Sequence, residues 1–211
     1  RDLHSFPTRR SSDLVGAHDY QGNPAPMRTA NCYIVNAPGT YRLPLVYGNA
    51  VDYVKVPGTG NNTSAYTSTY PSTGSWIHVL APWFINHAGN DITDPYIYNN
   101  VNCTPANCTL VWQDAQNLVT GVALSADGHF LEFTVGQATI CQGNAVVAVR
   151  NASNFVLWSW HIWVTDYRPG NTEPETTTPD KEITNHQGYR YKLMTVDRKS
   201  TRLNSSHGRR S

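Results

Sequence analysis

Apolar and polar residues alternate with a period of two in short runs along this chain, and turn residues separate the runs. That spacing puts every second side chain on one face of an extended strand, so it predicts an all-β sandwich or barrel. No stretch shows helical periodicity. The first run, Asn31-Cys32-Tyr33-Ile34-Val35, closes at Ala37-Pro38-Gly39, where proline fixes φ and glycine permits a positive one. The second, Thr40 to Tyr47, shares Tyr41, Leu43, Leu45 and Tyr47 on one face. Pro44 has no N–H to give to a ladder, so it marks a sheet edge or a bulge.

Later runs are Thr109 to Gln113, Leu118 to Ser125 and His129 to Val135, the last two joined by Ala126-Asp127-Gly128. An Asp-Gly pair between alternating segments predicts a hairpin. A second hairpin is expected from Ala145–Arg150 and Phe155–Thr165 around the turn 151–154. Alternation through that last strand assigns Val156, Trp158, Trp160, Ile162 and Val164 to the core. Leu157, Ser159, His161 and Trp163 fall on the other face. Residues 57–107, rich in Gly, Asn, Ser, Thr and Tyr, read as a strand-containing insertion around Trp76–Leu80 and Tyr96–Tyr98, because fifty structureless residues are unusual in a compact domain. The Pro, Glu and Thr-rich stretch 168–182 reads as a linker.

Both ends change the charge balance. One frame of a sequencing-adapter oligonucleotide encodes Arg1 to Leu14 and another encodes Asp197 to His207, so residues 1–14 and 197–211 resemble translated adapter. The gene segment is then expected to be 15–196, cut at both ends, with Asp197 and Arg198 assignable either way. The adapter-like ends carry eight Lys or Arg against three acids, so removing them takes the net charge from +1 to −4. A mildly acidic domain lacks the basic footprint of a nucleic-acid binder. No apolar run approaches the roughly 20 residues that cross a bilayer. Low charge with abundant Asn, Thr, Tyr, Gly and Pro suits an exported β-protein. The four cysteines allow three pairings. Cys103 and Cys108 enclose a short Pro-containing loop, for which a local disulfide is expected over free thiols or a zinc knuckle. Cys32 and Cys141 are read as strand residues, each a buried small hydrophobe or half of a second bridge.

The segments 29–35 (Thr-Ala-Asn-Cys-Tyr-Ile-Val), 38–41, 44–49, 143–149 and Leu157 to Tyr167, with its three tryptophans, resemble fimbrillin-like surface proteins of gut anaerobes, many of them lipoproteins. The resemblance spans most of residues 29–167. It implies an immunoglobulin-like antiparallel β-sandwich on the bacterial outer surface, lipid-anchored in the full-length protein. Gly188 to Met194 looks like the entry to a FISUMP-type domain, so 183–196 is expected to start a further, truncated domain after the sandwich.

No phosphate loop, zinc-protease motif or nucleophile elbow is present, and no cofactor or metal is implied. His161 is expected to be a structural histidine hydrogen-bonded on the sheet face, with a ligand or acid–base role as the alternative. His78 and His87 lie near aromatics but not with Asp91 or Asp94, and those two acids read as solvated loop residues before they read as a calcium site. Trp76, Trp83, Tyr96 and Tyr98, among Asn, Thr and Asp, carry the mix of flat apolar faces and polar groups that sugar-binding surfaces use, with Trp76, Trp83 and Tyr96 as the expected ligand-binding residues. The competing reading has the tryptophans pinning the insertion to the sandwich. The chain is therefore expected to be a non-enzymatic extracytoplasmic module for adhesion, fimbrial assembly or display, partnered by other surface-protein domains or subunits. The alternative is a carbohydrate-binding module, accessory to a glycan-degrading enzyme.

Overall fold

The computed structural model describes residues 27–67, 83–166, 181–184 and 186–193. The adapter-like ends, residues 168–180 of the expected linker 168–182 and the run Trp76–Leu80 with His78 lie outside these residues; Lys181 and Glu182, the last two residues of that expected linker, are extended instead. The chain divides into two units, Arg1–Thr165 and Asp166–Ser211.

The first unit is all-β, with two sheets that share one hydrophobic core. Its strands are β1 (Cys32–Val35), β2 (Gly39–Pro44), β3 (Asn107–Gln113), β4 (Thr120–Leu124), β5 (Phe130–Val135), β6 (Gly143–Arg150) and β7 (Val156–Val164). The larger sheet has the order β1-β7-β6-β3 and the smaller one β2-β5-β4. Burial alternates along β5 and most of β6, as half-buried strands require. Tyr41, Leu43, Leu131, Phe133 and Val135 from the small sheet meet Tyr33, Val35, Val147, Trp160, Ile162 and Val164 from the large one in a single buried cluster. This is a β-sandwich. Its pairs are antiparallel except β1 with β7, which run parallel. No hairpin joins those two strands; β1 leads directly into β2 of the opposite sheet, so its direction is set by that crossing.

Both hairpins have turn chemistry to match. Gly128 takes φ +73° after Asp127, whose carboxylate accepts from the Ser125 hydroxyl and the His129 N–H. Asn154 takes φ +64°, and Asn151 accepts from the N–H groups of Ser153 and Phe155 at 3.0 Å each. Pro44 ends β2, an edge strand of the small sheet, where its missing N–H costs no ladder bond.

The expected core of β7 needs correction at its start. Trp160, Ile162 and Val164 are fully buried, Trp158 is half-buried, and Val156 is 44% exposed while Leu157 is buried. Val149 pairs with Trp158 but Arg150 pairs with Val156, so Leu157 is an extra residue. A β-bulge of this kind shifts the side-chain alternation by one position. A second bulge at Val111, between Leu110 and Trp112 of β3, accompanies exposure of Val111 and Trp112 on the edge strand.

The disulfide expectation is also overturned, since all four cysteines are free thiols. Cys103 is buried within the loop before β3, with its sulfur accepting from Asn86 Nδ2 at 3.3 Å and the Tyr47 hydroxyl at 3.6 Å. Cys108 stands in β3, where pairing with Val149 fixes its direction. Cys141 precedes β6 in a loop, contrary to its reading as a strand residue, and Cys32 is exposed on β1. Tyr96–Tyr98 was expected to be extended; instead Ile97–Asn99 forms a 3₁₀ turn. Buried Asn100 causes it, taking the N–H groups of Thr93 and Asp94 on Oδ1 and giving Nδ2 to the carbonyls of Asp94 and Tyr96. A side chain that satisfies four backbone groups outcompetes a strand ladder.

The second unit shows a two-stranded antiparallel hairpin of β8 (Lys181–Thr184) and β9 (Arg190–Leu193), with Gly188 at φ +85° between them.

Candidate functional site

Past Pro44 the chain of β2 continues as Leu45-Val46-Tyr47, and the loop 95–97 zips onto it. Tyr47 donates its N–H to Pro95 O and Ile97 donates to Leu45 O, at 3.0 and 2.9 Å, while Val46 bridges Tyr96. On the other side Pro44 pairs with Phe130, and Leu45 N–H reaches His129 O at 3.0 Å. These pairings bring the start of β5 and the 3₁₀ turn together at one end of the small sheet. Between them lies a cleft of about 400 Å³ lined by Met27, Arg42, Pro44, Tyr96, Tyr98, His129 and Phe130.

Three of its rings, Tyr96, Tyr98 and His129, form a continuous set. Tyr98 stacks on His129 with centroids 4.3 Å apart, and Tyr96 leans on Tyr98 at 5.6 Å. The Arg42 guanidinium lies 3.8 Å above the Phe130 ring, a cation–π contact, and its Nε is 3.8 Å from Glu132. At that range the ion pair lacks a formal hydrogen bond, and Arg42 Nε is buried with no hydrogen-bond partner. Burial pushes the hydroxyls of Tyr96 and Tyr98 up, with the Asp94 carboxylate adding to both. Both phenols are therefore neutral at physiological pH, able to donate. Flat rings with hydroxyl, imidazole and guanidinium groups at their rims can stack on an apolar sugar face and bond its hydroxyls.

Of the three ligand-binding candidates, only Tyr96 lines the cleft. Trp76 lies outside the described residues. Trp83 bridges Thr67 and stacks on buried Tyr66 at 6.0 Å, packed against the core. Asp94 accepts from Tyr96 N–H at 2.8 Å and Asn99 Nδ2 at 3.1 Å, so it holds the turn that carries the two tyrosines. His87 lies apart from the cleft, against Asn151 and Phe155. Among the described residues no group of three or more His, Cys, Asp or Glu could hold a metal ion. No helix of the described residues is long and apolar enough to cross a membrane.

Tyr98, read with Tyr96 as part of the aromatic set, also lines the cleft, whereas the reading of residues one run at a time missed Arg42, His129 and Phe130. A signal was present: the Asp-Gly turn fixes His129 and Phe130 at the start of a strand. What joins them is register between β2 and β5, which composition does not encode. No protein-family model, curated protein or solved structure matches the chain.

Proposed function

We propose that this chain is a non-enzymatic, extracytoplasmic β-sandwich module of a bacterial cell-surface protein, serving adhesion, fimbrial assembly or display, with the cleft at the Pro44 end of the small sheet as its working surface. The observation that carries the reading is the cleft's lining: two tyrosines, a stacked histidine, and Phe130 under Arg42, presented at one end of a rigid sandwich. Binding residues on loops that a rigid scaffold positions are the usual arrangement for recognition modules. The low charge and polar-aromatic composition, and the resemblance to fimbrillin-like lipoproteins with its immunoglobulin-type sandwich and FISUMP-type continuation, support a place on the bacterial outer surface.

The same cleft favours a second reading, a carbohydrate-binding module accessory to a glycan-degrading enzyme. One experiment tests the common core of both. Cells displaying the full chain are allowed to settle on glycan-coated surfaces, alongside cells displaying Tyr98→Ala at equal density. Adherence that falls with Tyr98→Ala while the thermal melt stays put supports the cleft as the working surface. Equal adherence of the two sinks it. Retention on insoluble polysaccharide in place of glycoprotein surfaces would select the second reading.

A further inference from the structure

A hydrogen-bonded chain of side chains crosses the outer face of the large sheet, away from the cleft. Parallel pairing sets Cys32 of β1 opposite His161 of β7, and Asn144 of β6 pairs with Trp163 two residues along. Cys32 Sγ lies 3.1 Å from His161 Nδ1, and His161 Nε2 lies 2.9 Å from Asn144 Oδ1. Asn144 in turn donates Nδ2 to Asp114 Oδ2 at 2.9 Å and its backbone N–H to Asp114 Oδ1 at 2.8 Å. Gly143 leaves the room that Asp114 needs, since a Cβ there would lie 2.5 Å from Asp114 Oδ1.

The far end of this chain fixes the near end. A carboxylate only accepts, so Asn144 must turn its NH₂ toward Asp114 and its oxygen toward the imidazole. That oxygen also only accepts, so the ring proton sits on Nε2. Nδ1 is left with its lone pair facing the thiol. Partial desolvation of its sulfur raises the Cys32 thiol although the residue is exposed, and burial lowers the His161 imidazole, while the Asp114 charge raises His161 again. The resting pair is thus neutral, with the sulfur proton aimed at Nδ1 and a carboxylate beyond Asn144 to stabilise an imidazolium. Cys32 is exposed on an edge strand, so a reagent can reach it.

We propose that Cys32 is a nucleophilic thiol with His161 as its base, a site of thiol–disulfide exchange with low-molecular-weight disulfides. Cys32 Sγ attacks one sulfur of the disulfide as its proton passes to His161 Nδ1. The disulfide's S–S bond breaks, and the leaving thiolate takes the proton from Nδ1. The products are a mixed disulfide on Cys32 and one free thiol, so the reagent disulfide is the only oxidant. Asn144 and Asp114 are positioning residues that hold the tautomer.

The test incubates the reduced full chain with oxidised glutathione near neutral pH and maps the modified cysteine by mass over time. Half-buried Cys141 in the same chain is the internal reference. Cys32 is expected to gain glutathione on the order of tenfold faster than Cys141, and His161→Gln to slow Cys32 by on the order of tenfold or more while Cys141 is unchanged. Equal rates at Cys32 and Cys141 in the parent overturn the proposal, and that comparison decides the matter even where the variant does not fold. An unchanged Cys32 rate in a folded His161→Gln variant overturns it as well.

Discussion

Trp160 of β7 is the largest fully buried side chain among the described residues, and it belongs to the shared core. Two residues of the same strand make a sharper test of the packing. The bulge turns Leu157 inward and leaves Val156 in solvent, so truncating each to alanine should have opposite outcomes from those that strict alternation implies. Leu157→Ala is expected to cost about 2–5 kcal/mol, and Val156→Ala within about 0.5 kcal/mol of zero, by denaturant unfolding. A larger loss at Val156 would contradict the bulge. Asp52 offers a pH signature. The N–H of Lys55, foremost, and then Arg28 and the N–H of Val54 hold its carboxyl below the ordinary value against the opposing effect of burial. A carboxyl whose pKa is depressed in the fold stabilises the protein above the unfolded value of about 3.9, and that contribution drains away as pH falls through the folded value. The stability advantage of the parent over Asp52→Asn should therefore be constant near neutrality and shrink below about pH 4. An advantage that persists unchanged at pH 2 would refute it.

Strands were legible because their signal is local. Period-two alternation, an Asp-Gly turn and a proline that needs an edge all act within a few residues, and β2, β5, β6 and β7 follow from them. The backbone groups that Asn100 ties together also lie within a few positions, yet its effect was hidden, because an asparagine reads as loop whether or not it braces a turn. The bulges at Val111 and Leu157 depend on the partner strand's register, and the cleft depends on three segments meeting. Neither is written in one run of sequence. The Cys103–Cys108 loop failed for the same reason: spacing permits closure, but β3 sets the direction of Cys108 while Asn86 and Tyr47 claim the sulfur of Cys103. Alkylation under denaturing, non-reducing conditions should accordingly label both cysteines in the peptide that spans 103–108. A peptide lacking both labels and two mass units lighter than the dithiol would establish the bridge instead. In the folded chain Cys108 should label slowly, because burial holds its thiol up at about 12.

Taken whole, the first unit couples a two-sheet core to the cleft at the Pro44 end of its small sheet, and the second shows a two-stranded hairpin. A sandwich suits the proposed recognition because the strands fix Arg42, Pro44 and Phe130 in register, and backbone hydrogen bonds from the loop 95–97 to Leu45 and Tyr47 carry Tyr96 and Tyr98 to them. Preorganised aromatic faces lose little conformational freedom when a ligand stacks on them. Removing one should cost affinity without costing the fold. The direct measurement is a glycan array probed with the full chain and with Tyr96→Ala/Tyr98→Ala, each checked for an intact thermal melt. Binding by the parent to a discrete set of glycans, lost on the order of tenfold or more in the folded double variant, is the result this account requires. Glycan binding that survives the double substitution would place recognition elsewhere, and a parent that binds none of the glycans would contradict the saccharide cleft itself.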